Sequence, residues 1–122
     1  IISRFRIGEE MRVVIEYNAP KKVIQPVFGI GIYRDESFIL GPNTRDDNYP
    51  VDSVEGRGEL EFVIARVIFS CGEYEVSASS HNMDESCHYD CRYRLFKFEV
   101  IAGDRNIKYG LIGIDGQWRH LE

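Results

Sequence analysis

Gly72-Glu73-Tyr74-Glu75-Val76-Ser77-Ala78-Ser79-Ser80 alternates cleanly, with Tyr74, Val76 and Ala78 on one face and Glu73, Glu75, Ser77 and Ser79 on the other. Successive side chains of an extended chain leave on opposite sides, so period-two alternation marks a half-buried strand. The stretch opens with Gly-x-Tyr just after an apolar segment and a turn, which is where Greek-key sandwiches place a tyrosine corner. Tyr74 is therefore expected in the core or at that corner.

Working towards the N-terminus, Glu59 to Phe69 has strand character, with Leu60, Phe62 and Ile64 alternating before the phase changes to Val67 and Phe69. A bulge or bend near Ala65-Arg66 follows from that change. Gly41 to Gly58 holds two prolines, three glycines, Asn43, Asn48 and four acids, and reads as a long polar connection of the binding or mobile kind. Phe38 to Leu40 is a short apolar piece after the Arg34-Asp35-Glu36-Ser37 turn. Ile24 to Arg34 reads as a strand with Ile24, Pro26, Phe28, Ile30 and Ile32 on one face and Val27, Gly29, Gly31 and Tyr33 on the other. Pro26 has no N–H for a ladder and belongs at a strand start or edge. Met11 to Tyr17 is another strand, with Val13, Ile15 and Tyr17 aligned.

Towards the C-terminus, His81 to Asp90 forms a second polar loop. Arg92 to Ile101 is a strand with Phe96, Phe98 and Val100 together, and Ile107 to Ile114 is the last apolar segment. Asp115-Gly116 then signals a turn, and Trp118 is expected to cap the core. Seven or eight short strands and no helix longer than a turn predict an all-β antiparallel sandwich. One phase problem stands out. If Phe96 and Phe98 face inward, so do Arg92 and Arg94, and two buried unpaired guanidinium groups would cost several kcal/mol. Either a bulge resets the phase or that end of the strand faces a polar groove.

The chain has 122 residues, enough for one domain, and 43% of them are hydrophobic, which allows a real core. It begins Ile1-Ile2 without a basic-then-apolar leader and is read as a single domain, 1–122, taken from a longer chain. A net charge of -5 argues against nucleic acid and against docking on an anionic membrane, and no apolar run is long enough for a membrane helix. Cys71, Cys87 and Cys91 are an odd set for a disulfide framework. Cys87 and Cys91 with His81 and His88 lack the second ligand pair of a structural zinc site, so free thiols are expected and no metal is assigned.

No nucleophile elbow, phosphate loop, His-Glu-x-x-His or dinucleotide fingerprint occurs, and Gly29-Ile30-Gly31 lies inside a strand. Cys87 or Cys91 with His88, and the acids Asp84, Glu85 and Asp90, are poor catalytic sets. A non-enzymatic, cofactor-free binding module is expected. Sugars are bound by aromatic faces together with planar polar side chains. The candidates outside the inferred core are Tyr33, Asn43, Tyr49, His81, Asp84, Tyr89, Arg92 and Tyr93, with Arg45, Asn82 and Asp90 beside them. Bare glycines at 29 and 31 would let a ligand or another backbone approach the Tyr33 face closely.

Phe5-x-x-Gly8-Glu9-x-Met11-x-Val13-x-Ile15-x-Tyr17, Pro26-Val27-Phe28-Gly29-Ile30, Gly41-x-Asn43-Thr44, Gly56-x-Gly58-x-Leu60-x-Phe62, Gly72-x-Tyr74-x-Val76, Tyr89-Asp90, Phe98-x-Val100 and the Gly110 to Trp118 close occur in this order. The series resembles the C-terminal domain of the ATP-binding subunit of O-antigen ABC transporters, the Wzt type. The resemblance implies an immunoglobulin-like β-sandwich that recognises the O-polysaccharide, through its modified terminus, on the cytoplasmic side of the inner membrane. It also implies a homodimer with an exchanged C-terminal strand, here Ile107 to Ile114. A membrane subunit and a nucleotide-binding domain would accompany it in the full chain. The alternative is a protein-interaction or dimerisation module without a glycan site.

Overall fold

A computed structural model describes residues 2–121. Seven strands run in the order β1 (Ser3–Arg6), β2 (Met11–Ile24), β3 (Val27–Arg34), β4 (Ser37–Leu40), β5 (Ser53–Ile64), β6 (Gly72–His81) and β7 (His88–Ile101). Five of them form one sheet in the order β1-β7-β6-β3-β4, and β2 pairs with β5 in a second. The expected all-β sandwich is what forms. One pair departs from the antiparallel rule: β1, with Phe5 as its single large apolar residue, lies parallel to β7. It is held there by an Arg4–Glu99 ion pair at 2.7 Å and by the edge of Phe5 against Phe98 at 6.0 Å.

Alternation sets what lies between the sheets. From the large sheet Ile32, Tyr74, Val76, Phe98 and Val100 point inward, and Ile7, Met11, Val67, Phe69 and Ile107 close over them. Tyr74 stacks on Phe98 with ring centroids 5.2 Å apart and planes 13° off parallel. A second, smaller cluster of Ala19, Phe28 and Val54 lies at the other end. The tyrosine corner is present. The Tyr74 hydroxyl donates to the Ser70 carbonyl, and Arg34 Nη1 donates to Ser70 Oγ at 2.7 Å and to the Tyr74 hydroxyl at 3.3 Å. Gly72, at φ +148°, leaves room for that guanidinium, since a Cβ there would sit 2.5 Å from Arg34 Nη2.

Several boundaries differ from the sequence expectation. β2 continues through Asn18 to Ile24, and Ile24 ends this strand instead of beginning the next; the chain turns at Gln25, φ 47°, and Pro26 sits buried ahead of the β3 ladder. The first polar connection ends at Asp52, because Ser53 to Gly58 pairs with the end of β2. Gly58 faces Tyr17 across that ladder, and a side chain at 58 would collide with the Tyr17 ring. The second polar loop is likewise shorter, with β7 starting at His88. Ile107 to Ile114 does not form a strand. Gly110, φ 73°, breaks it, and the segment is tied to Ile68, Ser70 and Cys71 by single backbone hydrogen bonds and a lone Phe69–Ile112 bridge. Trp118 does not cap the core: its side chain is fully exposed, at 102%.

Candidate functional site

The phase problem of β7 resolves into a bulge. Val76 pairs with Phe96 and Ala78 with Arg92, so β7 spends four residues where β6 spends two. Arg94 sits at φ 53° within the bulge, and its N–H donates to Ser77 Oγ at 2.7 Å, which satisfies the buried Ser77 hydroxyl. The consequence is that Tyr93 and Arg94 both reach the outer face of the large sheet, while Leu95 and Phe96 return to the side facing the small one.

On that outer face three rings gather. Tyr33 meets Phe38 at 4.9 Å and 30°, and Tyr93 edge-on at 5.5 Å and 69°. Two missing side chains let the rings lie close to the sheet. A Cβ on Gly31 would be 2.9 Å from the Tyr33 ring, and one on Gly41 would strike Phe38. The gap over Gly31 is thus filled by Tyr33 and Phe38 themselves, and that over Gly29 by the Pro42–Asn43 backbone that pairs with it. The Arg94 guanidinium lies 5.0 Å from the Tyr33 ring centroid and is fixed by Glu75 Oε1, at 2.8 Å from Nε and 2.6 Å from Nη2, and by the Asp35 carbonyl at 2.8 Å. Partial burial works against its charge, but hydrogen bonds with Glu75 and Tyr93 outweigh it and raise its pKa. Phe38 and Tyr93 remain 61% exposed, an arrangement that offers rigid apolar faces to solvent.

The other candidates fall elsewhere. Tyr89 and Arg92 line a cleft of 1240 Å³ between β2 and the β6–β7 pair, where Arg92 Nε meets Asp90 Oδ2 at 3.1 Å and Leu95 and Phe96 are exposed. Asn43 and Tyr49 border a smaller cleft of 480 Å³ beside β5. Asn43 is bound to its own loop: Nδ2 donates to Asp46 Oδ2 at 2.9 Å and Oδ1 accepts from the Asp46 N–H at 2.8 Å. Arg45 reaches across to the second loop, donating to the Met83 carbonyl at 2.7 Å and lying 3.6 Å from Glu85. Asp84 accepts from the Ser86 N–H at 3.0 Å in an exposed turn. Asn43 and then Arg45 lower the pKa of Asp46, and the hydroxyl and N–H of Ser86 lower that of Asp84. His81 is buried, its Nδ1 donating to the Asn82 carbonyl at 2.7 Å, with His88 5.5 Å away. Cys87 and Cys91 are exposed free thiols and Cys71 is half-buried.

Of the eight candidates, the structure therefore unites Tyr33 with Tyr93 and, separately, Tyr89 with Arg92 and Asn43 with Tyr49, while His81 and Asp84 stand apart. Sequence reasoning did not pick out Phe38, Glu75 or Arg94 for the outer site. Phe38 between a turn and Gly41 was the available signal. Glu75 and Arg94 gave none, because their meeting depends on the bulge.

The fold is a two-layer β-sandwich that carries an exposed cluster of packed rings on the outer face of its large sheet. The family model described as "Wzt C-terminal domain" matches residues 1–114. The crystal structure of the C-terminal domain of wzt superposes with a TM-score of 0.83 at 16% identity, covering 97% of this chain and 74% of that one. No curated protein matches. The chain belongs to the Wzt C-terminal domain family. No helix among the described residues is long and apolar enough to cross a membrane.

Proposed function

We propose that this domain is a non-catalytic carbohydrate-recognition module that presents O-polysaccharide, by its modified terminus, to an ABC transporter on the cytoplasmic side of the inner membrane. Family membership supports the transporter setting, with a membrane subunit and the chain's own nucleotide-binding domain as partners. The observation that carries the glycan reading is the outer platform of Tyr33, Phe38 and Tyr93, two of whose rings stay 61% exposed although each is locked against its neighbours. Pyranose C–H faces stack on such rings, and a preformed platform spends little entropy on ordering when it binds. The inter-sheet cleft with Tyr89 and Arg92 offers a second length of groove for the same polymer.

Calorimetric titration with the O-polysaccharide of the producing bacterium, with and without its end group, tests this directly. Tyr93→Ala should weaken binding about fivefold, as expected for one lost stacking contact worth ~1 kcal/mol, and leave the thermal midpoint nearly unchanged. Unchanged affinity in both Tyr33→Ala and Tyr93→Ala removes the platform as the glycan site.

A protein-interaction role is favoured by a different observation. Tyr109, Ile114, Trp118 and Leu121 are 74–102% exposed, four large apolar side chains within one C-terminal segment. We propose that this tail exchanges onto a second copy, giving a homodimer. A dimer in sedimentation that dissociates when Ile114 and Trp118 are replaced by Ser supports that exchange. A monomer at every concentration refutes it.

A further inference from the structure

We infer that Arg94 and Glu75 form a donor–acceptor pair that reads a vicinal diol on an uncharged sugar, so that the platform selects neutral glycans over those carrying carboxylate, phosphate or sulfate. The inference rests on the platform being the glycan site, and it begins from which atoms are already used. Arg94 commits Nε and Nη2 to Glu75 Oε1 and the Asp35 carbonyl. Beyond the Tyr93 hydroxyl the guanidinium meets no other partner among the described residues, so at least one Nη1 N–H is left open, and Glu75 Oε2 has no partner either. A donor and an acceptor, both ionised, are thus left open beside the Tyr33 and Tyr93 rings, with the two side chains only 23% and 29% exposed.

Two adjacent hydroxyl groups are the complement of that pair. One accepts from Nη1 while the other donates to Oε2, and hydrogen bonds to ionised groups are about twice as strong as neutral ones. A lone arginine on an aromatic surface would instead suit an anion. This one does not, because Glu75 already neutralises it at 2.6 Å. The surroundings push the same way. Register places Glu73 opposite Glu99 and Lys97 opposite Glu75 on this face, so Arg4 at Glu99 and Lys97 at Glu75 still leave Glu73 without a cation of its own. Asp35 and Glu36 are exposed on the β3–β4 turn beside Tyr33 and Phe38. An acidic sugar would meet this excess of carboxylates and bring no countercharge, in a chain of net charge -5.

The test is an array of bacterial O-polysaccharides, neutral and acidic, probed with wild type, Glu75→Gln, Arg94→Lys and Tyr93→Ala, followed by calorimetry on the strongest neutral and acidic members. Wild type should bind neutral polymers. Glu75→Gln removes the ionised acceptor and frees the Arg94 charge, so neutral binding should fall about tenfold, the effect of one lost charge-assisted bond, while acidic binding rises. Arg94→Lys keeps a charge but loses the planar fork, and should lower neutral binding without the acidic gain. It decides the matter if Glu75→Gln fails to fold. Wild-type preference for acidic polymers overturns the inference. So does neutral binding that is lost in Tyr93→Ala yet kept in both charge variants, a result that leaves the platform standing. Binding untouched by all three variants, or no binding at all, overturns both readings.

Discussion

Removing one oxygen atom from the core, by Tyr74→Phe, should cost this domain a large share of its stability. The ring would stay stacked on Phe98, 5.2 Å away, so packing is conserved and only the hydroxyl is lost. That hydroxyl donates to the Ser70 carbonyl and lies within 3.2 Å of Ser70 Oγ and 3.3 Å of Arg34 Nη1. Ser70 is 2% exposed, so water cannot readily replace the lost donor. The net value of one such bond is about 1 kcal/mol, and an orphaned buried carbonyl adds about 1–2 kcal/mol, giving about 2–3 kcal/mol in all. For a chain of this length each kcal/mol moves the thermal midpoint by about 3–6 °C, so the shift should be roughly 6–18 °C downward. Urea unfolding followed by far-ultraviolet circular dichroism measures the same quantity as a lower midpoint at constant slope. Ser70→Ala, which keeps the carbonyl but removes Oγ, should cost less. A Tyr74→Phe domain within about 0.5 kcal/mol of wild type, the range of an ordinary surface change, would show that the corner is not a tether between the strands.

Gly31→Ala should weaken glycan binding by displacing the Tyr33 and Phe38 rings that lie 2.9 and 3.2 Å from the new methyl group; calorimetry would read it, and unchanged affinity means the rings adjust freely. Ser77→Ala removes the acceptor of the Arg94 N–H inside the bulge and should lower stability by about 1–3 kcal/mol, visible in urea unfolding. Trp118→Ala should leave the thermal midpoint of the monomer unchanged, since that side chain touches no core; a fall of several degrees at low protein concentration would contradict its placement. Asp46 and Asp84 titrate below the ordinary aspartate value, so their folded forms favour the ion. Their contribution is complete above about pH 4 and is lost as pH falls through the lowered values, which amide shifts of Asp46 and Ser86 in an NMR titration should follow. Shifts that begin well above pH 4 would reverse the sign of the argument.

How much of this the sequence carried depends on burial. Gly72 to Ser80 and Met11 to Tyr17 were legible because one face of each meets the core and alternation is imposed by that contact. Ser53 to Gly58 and His88 to Asp90 read as loop because these strand ends overhang the core. Most of their side chains are exposed, Val54 being the buried exception, and no periodicity is enforced. Ile107 to Ile114 erred the opposite way: its apolar content was real, but Gly110 in the left-handed region and Gly113 against Ile107 prevent a ladder. Only Ile107 of this segment is buried, so its apolar content gave neither a strand nor burial.

The site divides along the same line. Tyr33 and Tyr93 could be named from sequence because the core had no use for them, whereas Tyr89 and Arg92, placed with them in sequence, lie on the opposite face. Alternation alone separates Arg92 from Tyr93; what moves Arg94 to the side of Tyr93 is the extra pair of residues in β7, and a bulge belongs to the register of two strands, not to either strand alone. The sequence clue was indirect: two arginines in phase with Phe96 and Phe98 could not both be buried, so the phase had to break somewhere between them. The break sends Arg94 out to Glu75 and Tyr33 and leaves Arg92 inside the cleft with Asp90, each with its own carboxylate. The core's demand for an apolar face and the platform's supply of a charged pair are therefore met by one distortion. A variant that deletes two residues from the bulge and straightens β7 should lose the site even if the sandwich still forms.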